Sequence, residues 1–154
     1  MTPIHHICIS CADMESVERW YAKHFGFTRK RVYLSTPEIP LPSQDQAGSA
    51  VAGVIIGNGG VRLELLPATV ESPAPRPETD GPAYTAYRHF AFSVDDLDTK
   101  LAEMGDDAQV TLGPVDMGAF IAGMRVAWIS DPEGNIVELS QGYEDEKNPP
   151  PLDR

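Results

Sequence analysis

The sequence lacks several features that would place the protein at a membrane or on nucleic acid. It has no apolar run of the roughly 20 residues that a helix needs to cross a bilayer. The N-terminus shows no basic segment followed by an apolar one, as a signal peptide would, so we expect a cytoplasmic protein. Basic residues are scarce, with 12 Lys and Arg against 23 Asp and Glu. The resulting net charge of −11 argues against nucleic acid and membrane partners, because both bind basic surfaces.

Cysteine is also scarce, since Cys8 and Cys11 are the only two in the chain. Residues three apart on a strand face opposite sides, which argues against a disulfide and against a shared metal ion. We therefore interpret both as small apolar strand residues in a reducing compartment.

An internal repeat is the most informative feature that the sequence does contain. His6 and His89 are each followed by apolar residues at +1, +3 and +5, by Asp at +7 and by an apolar residue at +8. The pattern Gly-x-x-[Leu/Val]-Glu-Leu follows in each half, at 60–65 and at 134–139. Each repeat contains one His and one Glu at matching positions, which suggests one shared site of two His and two Glu. These side chains are typical ligands of a divalent metal ion.

Each half of the chain predicts a strand, then a helix, then three strands. The predicted elements of the first half are a strand at 4–11, a helix between Asp13 and Gly26, and strands at 27–34, 50–56 and 61–66. Those of the second half are a strand at 88–94, a helix at 96–104, and strands at 109–112, 120–129 and 135–140. This order is typical of an α+β fold rather than of an alternating parallel one.

Proline-rich segments divide the chain. At 154 residues it suits one compact domain or two small halves that share a core. The predicted parts are a first module at 1–66, a Pro-rich linker at 67–87, a second module at 88–141, and an acidic, Pro-rich tail at 142–154. Within the first module, residues 35–49 carry three prolines and are interpreted as a loop or lid.

Strand alternation predicts where the candidate ligands point. His6 shares a strand face with Cys8 and Ser10, and the more apolar opposite face is expected to pack against the helix. His5 has the opposite parity, and His24 is expected to be a packed or capping residue of the helix. If the two sheets face each other, four side chains converge in one cavity: His6, Glu64, His89 and Glu138. A carboxylate buried there is costly unless it is paired or bound to a metal.

The chain resembles the vicinal oxygen chelate superfamily, which includes glyoxalases, methylmalonyl-CoA epimerases, extradiol dioxygenases, and fosfomycin or bleomycin resistance proteins. The segments that carry the resemblance lie at 4–7, 20–21, 25–27, 61–65, 88–97 and 131–139. The resemblance implies two tandem βαβββ modules that form a curved mixed sheet around a metal-binding cavity. It also implies a divalent ion (Zn, Ni, Co, Mn or Fe) that is held by His6, Glu64, His89 and Glu138.

The implied chemistry is that of a lyase or isomerase of the glyoxalase type. Four ligands leave about two positions of an octahedral ion for oxygens of a small oxygenated substrate. The metal acts there as a Lewis acid. Glu64 or Glu138 is the candidate base that removes a proton from the carbon next to a carbonyl.

We expect a homodimer, because an open sheet leaves strand edges that a second copy can cover.

The sequence departs from the known members at two positions. Bacterial glyoxalase I carries an Arg and an Asn that hold glutathione where this chain has Ser10 and Ala68. Two alternatives therefore stay open: an Fe(II) extradiol-type dioxygenase, and a non-catalytic resistance protein that binds a drug.

Five further residues are candidates for the substrate pocket. Arg62 and Arg125 are interpreted either as anchors for a substrate carboxylate or phosphate or as members of surface ion pairs. Three aromatic residues are interpreted as either pocket or core residues: Tyr33, Phe120 and Trp128.

Overall fold

The computed structural model describes residues 3–34, 51–68, 87–147 and 149. The chain divides into two compact units. Unit 1 comprises Met1–Glu78 and Asp131–Gly134, and unit 2 comprises Thr79–Ser130 and Asn135–Arg154. Within the described ranges, neither helix has the length and apolar character needed to cross a membrane.

Unit 1 contains a mixed sheet of four strands and one helix. Its elements are β1 (Ile7–Cys11), α1 (Met14–Phe25), β2 (Thr28–Leu34), β3 (Val51–Asn58) and β4 (Val61–Pro67). The strand order is β1-β4-β3-β2. β1 and β4 run parallel, and the other neighbours run antiparallel. The parallel pair sets Cys8 beside Glu64.

Unit 2 repeats this arrangement. Its elements are β5 (His89–Ser93), α2 (Leu97–Met104), a short 3-10 turn (Gly105–Asp107), β6 (Gln109–Asp116), β7 (Arg125–Ser130) and β8 (Ile136–Gln141). The strand order is β5-β8-β7-β6, with β5 and β8 parallel. The predicted α+β fold of two tandem βαβββ modules is therefore confirmed. A cavity enclosed by the sheets stays a prediction.

Both helices begin at the repeated Asp. The Asp13 carboxylate accepts a hydrogen bond from the Ser16 amide at 3.0 Å, and the Asp96 carboxylate accepts one from the Thr99 amide at 2.7 Å. These contacts satisfy amide groups that the first helical turn leaves without partners. At the other end of α1, Gly26 has a φ of 64°, which favours glycine. The Asp at +7 of the repeat is thus a helix cap.

The core lies on the strand faces that alternation predicts. Ile9 and Cys11 of β1 are buried, whereas Cys8 and Ser10 are exposed. The residues that flank the two glutamates are 0% exposed and so belong to the core: Leu63, Leu65, Val137 and Leu139. The predicted packing of His24 is confirmed, since it is 8% exposed and lies edge-on to Trp20. Both cysteines are free thiols on opposite faces, as predicted.

Several predicted strand bounds are wrong. The strand predicted from Phe120 begins at Arg125, because residues 117–124 form a turn closed by the Met117 amide and the Met124 carbonyl at 2.9 Å. β6 continues to Asp116 through an irregularity between Leu112 and Val115. β1 begins only at Ile7. The predicted loop at 35–49 lies outside the described residues, as do most of the linker and most of the tail beyond 147.

The turn that joins β7 to β8 belongs to unit 1. Asp131 is 4% exposed, and its carboxylate accepts hydrogen bonds from the Tyr21 hydroxyl at 3.1 Å and the Glu133 amide at 3.0 Å. Glu133 in turn accepts one from the Asp13 amide at 2.8 Å. Burial, followed by the charge of Asp131 and its hydrogen bond, raises the pKa of Tyr21 well above its usual value. This turn therefore contributes packing and polar contacts to the α1 region.

Candidate metal centre

The first predicted pair of ligands comes together in unit 1. His6 lies directly before β1, and Glu64 lies within β4. The His6 Nε2 atom is 3.2 Å from the Glu64 Oε2 atom. The two side chains are 35% and 19% exposed, so both remain accessible from solvent.

The second pair repeats this geometry in unit 2. The His89 Nε2 atom is 3.1 Å from the Glu138 Oε2 atom, and these side chains are 29% and 14% exposed. In each unit, the residue two positions after the His lies beside the Glu: Cys8 beside Glu64, and Ala91 beside Glu138. The sequence repeat therefore corresponds to a repeat of side-chain geometry.

The chemistry of each pair fits one half of a divalent metal site. An imidazole nitrogen and a carboxylate oxygen lie within hydrogen-bonding distance of each other, and both are ligand types of zinc and similar ions. In the described part of either unit, no group of three or more His, Cys, Asp or Glu is arranged to hold a metal. Each unit by itself thus offers two protein ligands.

Two side chains of unit 1 contact its pair. The Nδ1 atoms of His5 and His6 are 2.8 Å apart, and the two rings lie edge to face. Cys8 lies beside Glu64 in the parallel register. The pKa of its thiol is raised, first by partial burial of this otherwise exposed side chain and then by the charge of Glu64 and a hydrogen bond to it. Glu64 therefore has two polar neighbours on this face, one of which is a thiol.

Trp128 is an aromatic neighbour of the pair in unit 2. It lies opposite Glu138 in the antiparallel pairing of β7 and β8, and its ring meets the His89 ring edge-on with 6.2 Å between centroids. The sequence predicts Trp128 as a pocket or core residue, and the structure places it against the second pair.

The arginines predicted as substrate anchors differ in their surroundings. The Arg125 guanidinium binds both carboxylate oxygens of Asp98, at 2.7 and 3.0 Å, so it forms the ion pair that was the alternative prediction. Arg62 lies two residues before Glu64 on β4 and is exposed. Arg62 therefore stays the candidate anchor, and Arg125 contributes to the α2 region.

The remaining predicted residues lie in less informative places. Phe120 is 81% exposed in the turn at 117–124, and Tyr33 lies opposite Gly53 on β2. Ser10 is exposed on β1, on the face that carries Cys8. His5 and Cys8 are not predicted as site residues. Strand parity does place Cys8 beside the pair, whereas His5 contacts it through a side-chain conformation that alternation does not describe.

Comparison with known proteins gives a consistent family. The family model of the Glyoxalase/Bleomycin resistance protein/Dioxygenase superfamily matches residues 3–139. The chain is 30% identical over 139 residues to the uncharacterized protein YaeR of Escherichia coli (strain K12), which covers 88% of this chain and 93% of that protein.

Solved structures show the same fold. A glyoxalase family protein from Enterococcus faecalis matches with a TM-score of 0.64 and 20% identity, covering 90% of this chain and 96% of that one. The fosfomycin resistance protein FosX from Listeria monocytogenes matches with a TM-score of 0.60 and 12% identity, covering 93% and 95%. At such identities these structures show the fold alone. The family model spans most of the chain and carries the assignment further: the chain belongs to the Glyoxalase/Bleomycin resistance protein/Dioxygenase superfamily.

Proposed function

We propose that the protein is a divalent-metal-dependent lyase or isomerase of the glyoxalase type that acts on a small oxygenated substrate. One observation carries this proposal. Two His–Glu pairs occupy equivalent positions in two modules, with nitrogen–oxygen distances of 3.2 and 3.1 Å. A single such pair could be an ordinary surface contact. Its repetition at one register in both sheets favours a common chemical role.

In this proposal four residues hold the ion: His6, Glu64, His89 and Glu138. When bound, the metal supplies Lewis acidity toward two substrate oxygens. Glu64 or Glu138 acts as the base, because a carboxylate close to the substrate carbon can take the proton next to a carbonyl. Arg62, on the same strand as Glu64, binds a carboxylate or phosphate group of the substrate.

The ligand assignment is tested by metal content. Elemental analysis after extensive dialysis compares the unaltered protein with single alanine variants of the four ligands. We expect each variant to lose most of its metal. Glu103→Ala is the matched control, because Glu103 is an exposed carboxylate on α2. Full metal content in all four ligand variants would contradict the proposal.

The base is identified by hydrogen exchange. Glu64→Gln and Glu138→Gln change side-chain volume little and keep an oxygen that can coordinate a metal. Exchange of carbon-bound hydrogen with deuterated water is followed by NMR on a panel of hydroxy ketones and keto acids. The variant that lacks the base should lose ~10²–10⁴-fold in rate. Undiminished exchange in both variants excludes a ligand carboxylate as base.

The glutathione hemithioacetal of methylglyoxal is expected to be a poor substrate. Ser10 and Ala68 supply neither the charge nor the amide that would pair with glutathione, and unpaired polar groups are costly to bury. Turnover with kcat/KM at or above ~10⁴ M⁻¹s⁻¹, the low end for typical enzymes, would contradict this.

The alternative function, an Fe(II) extradiol-type dioxygenase, has its own test. Oxygen consumption with a catechol would favour that alternative over the lyase or isomerase.

We further propose that the protein forms a homodimer in the cytoplasm. β2 is an edge strand of its sheet and β6 of the other. Both expose large apolar side chains, among them Leu34 (56%) and Leu112 (58%). Exposed apolar edge strands are surfaces that a second copy can cover. Sedimentation at micromolar concentration tests this proposal, and a monomer there would overturn it.

A further inference from the structure

We propose that His5 is a positioning residue for His6 and that it does so by exchanging tautomers with it. The inference rests on the proposed metal-binding role of His6 but concerns a residue outside the ligand set. The Nδ1 atoms of the two rings are 2.8 Å apart. The opposite side of the His6 ring places Nε2 at 3.2 Å from Glu64. Both nitrogens of His6 therefore have a polar neighbour.

A short contact between two Nδ1 atoms requires one proton between them. A neutral imidazole carries one N–H donor and one acceptor nitrogen, so one ring donates and the other accepts. For two neutral rings without a metal, only one arrangement satisfies both contacts of His6. The His6 Nε2–H donates to the Glu64 carboxylate, and the His6 Nδ1 accepts from the His5 Nδ1–H.

Metal binding at the His6 Nε2 requires the opposite arrangement. The Nε2 lone pair must be available, so the His6 proton lies on Nδ1, which then donates to the His5 Nδ1. His5 now carries its own proton on Nε2, so both rings have changed tautomer while their charges stay the same. Metal-bound histidines usually donate their second N–H to a neighbouring acceptor. An imidazole can fill this place in both states, because it accepts as readily as it donates.

The second module has no equivalent of this contact by sequence. Arg88 precedes His89, and a guanidinium has donors but no acceptor. His89 has the Trp128 ring as a neighbour instead. The proposal therefore concerns the first pair, in which a second histidine directly precedes the candidate ligand.

The test is long-range ¹H–¹⁵N NMR of the imidazole rings at a fixed alkaline pH at which the ¹⁵N shifts show that each ring carries a single proton. In the metal-free protein, we expect His5 to carry its proton on Nδ1 and His6 on Nε2. After addition of Zn²⁺, a diamagnetic probe, we expect His5 to carry it on Nε2 and His6 on Nδ1. A His5 ring protonated on Nε2 in the metal-free protein would overturn the proposal.

Zn²⁺ affinity, measured by competition with a chelator, supplies the second readout. His5→Ala should weaken binding ~10–100-fold, the usual cost of losing a partner behind a metal ligand. His5→Asn should restore most of it, because the amide can donate or accept near the Nδ1 position. Ile4→Ala, at a residue that is 82% exposed, is the control and should bind as the unaltered protein does. Thermal unfolding checks that all variants fold.

The two proposals fail in different ways. Unaltered protein that does not bind Zn²⁺, or binds it equally well after His6→Ala, overturns the proposed ligand set and the role of His5 with it. Binding that depends on His6 but is unchanged in His5→Ala overturns the role of His5 alone. Equal loss in His5→Ala and His5→Asn also overturns it, since the tautomer exchange needs only a group that donates and accepts.

Discussion

Glu64 and Glu138 occupy equivalent positions in the two sheets, each on the strand that pairs in parallel with the first strand of its module. Their neighbours differ at every adjacent position. Glu64 lies between Cys8 and Ile55, and its partner His6 contacts His5. Glu138 lies between Ala91 and Trp128, and its partner His89 contacts the Trp128 ring.

The difference shows what strand register determines and what it leaves open. Register sets which Cα atoms are adjacent, so both modules bring a His nitrogen and a Glu oxygen within 3.2 and 3.1 Å. The side chains around each pair depend on single residues that the register does not constrain. The His–Glu pair is thus common to both modules, and the polarity of the side chains around it is specific to each module.

The helices show a similar difference. α1 has 12 residues and α2 has eight. Asn58, the last residue of β3, donates to the Phe25 carbonyl at the end of α1 at 2.6 Å, and the Asp131 turn contacts the beginning of α1 through Glu133. α2 is contacted at its beginning by Gln141, which accepts from the Leu97 amide at 2.8 Å. Substitutions at equivalent positions can therefore test how alike the modules are.

The largest effects are expected in the shared core. Leu65 and Leu139 are equivalent residues of the repeat, and both are completely buried. Leu65→Ala and Leu139→Ala should each reduce the free energy of unfolding by ~2–5 kcal/mol, because each removes buried apolar atoms and leaves a cavity. Urea unfolding followed by circular dichroism measures both. A loss below ~1 kcal/mol in either variant would show that the two cores are not equivalent.

The next largest effect concerns a contact present in one module only. Asp131 corresponds to Gly57 of the first module when the repeats are aligned at Gly60 and Gly134. Asp131→Ala should cost ~1–3 kcal/mol, because it leaves the buried Tyr21 hydroxyl and the Glu133 amide without this acceptor.

Tyr21→Phe and Asp106→Ala complete this comparison in the same unfolding assay. Tyr21→Phe removes the hydrogen bond of its hydroxyl to Asp131 but keeps the one from the Glu133 amide, so it should cost less than Asp131→Ala. Asp106→Ala is the control, because Asp106 is an exposed carboxylate outside this turn. Equal stability of the Asp131→Ala and Asp106→Ala variants would show that the turn does not contribute to the α1 region.

Features that depend on local sequence could be predicted, and those that depend on tertiary contacts could not. The caps at Asp13 and Asp96 follow from neighbouring residues, as does the alternation that buries Leu63 and Leu65. The apolar neighbours of Phe120 predict a strand, yet the chain turns there between Gly118 and Gly123. The pairing of Asp131 with Tyr21 joins residues 110 apart, which no local pattern specifies.

The site shows the same limit. The repeat predicts each His–Glu pair, because the pairs depend on strand order and parity. The contact between His5 and His6 depends on side-chain rotation at the residues just before β1. The pairing of Arg125 with Asp98 depends on where α2 packs, so the sequence left both the anchor and the ion pair open.

A smaller, spectroscopic effect should distinguish the surroundings of the two pairs. Trp128 contacts His89, whereas Trp20 is buried on α1. Addition of Ni²⁺, which quenches nearby indole rings, should therefore lower the emission of the unaltered protein, and Trp128→Phe should remove this response. Trp20→Phe should retain it. A response that survives in Trp128→Phe would show that the quenched ring is not the one beside the second pair.

The smallest expected effect compares the helix caps and depends on pH. Hydrogen bonds from Thr99, first from its backbone amide, lower the pKa of Asp96 below its usual 3.8. A carboxylate whose pKa is lower in the folded state stabilises the protein above the unfolded pKa, and this contribution is lost as the pH falls through the folded pKa. Asp96→Ala should therefore lower the Tm by a few degrees at pH 7, and the difference should shrink below about pH 4.

Two further variants separate the charge of the cap from its hydrogen bond. Asp96→Asn keeps an acceptor for the Thr99 amide, so it should lower the Tm less than Asp96→Ala does. Because asparagine is uncharged, this variant should not lose the part of the stability that the unaltered protein loses when Asp96 is protonated. Asp13→Ala should lower the Tm at pH 7 by a similar amount, because Asp13 makes the equivalent contact to Ser16 at 3.0 Å. Calorimetry between pH 7 and 2.5 measures all three variants. A Tm difference for Asp96→Ala that stays constant over this range would mean that the cap acts only as a neutral acceptor. The second helix would then gain nothing from the carboxylate's charge.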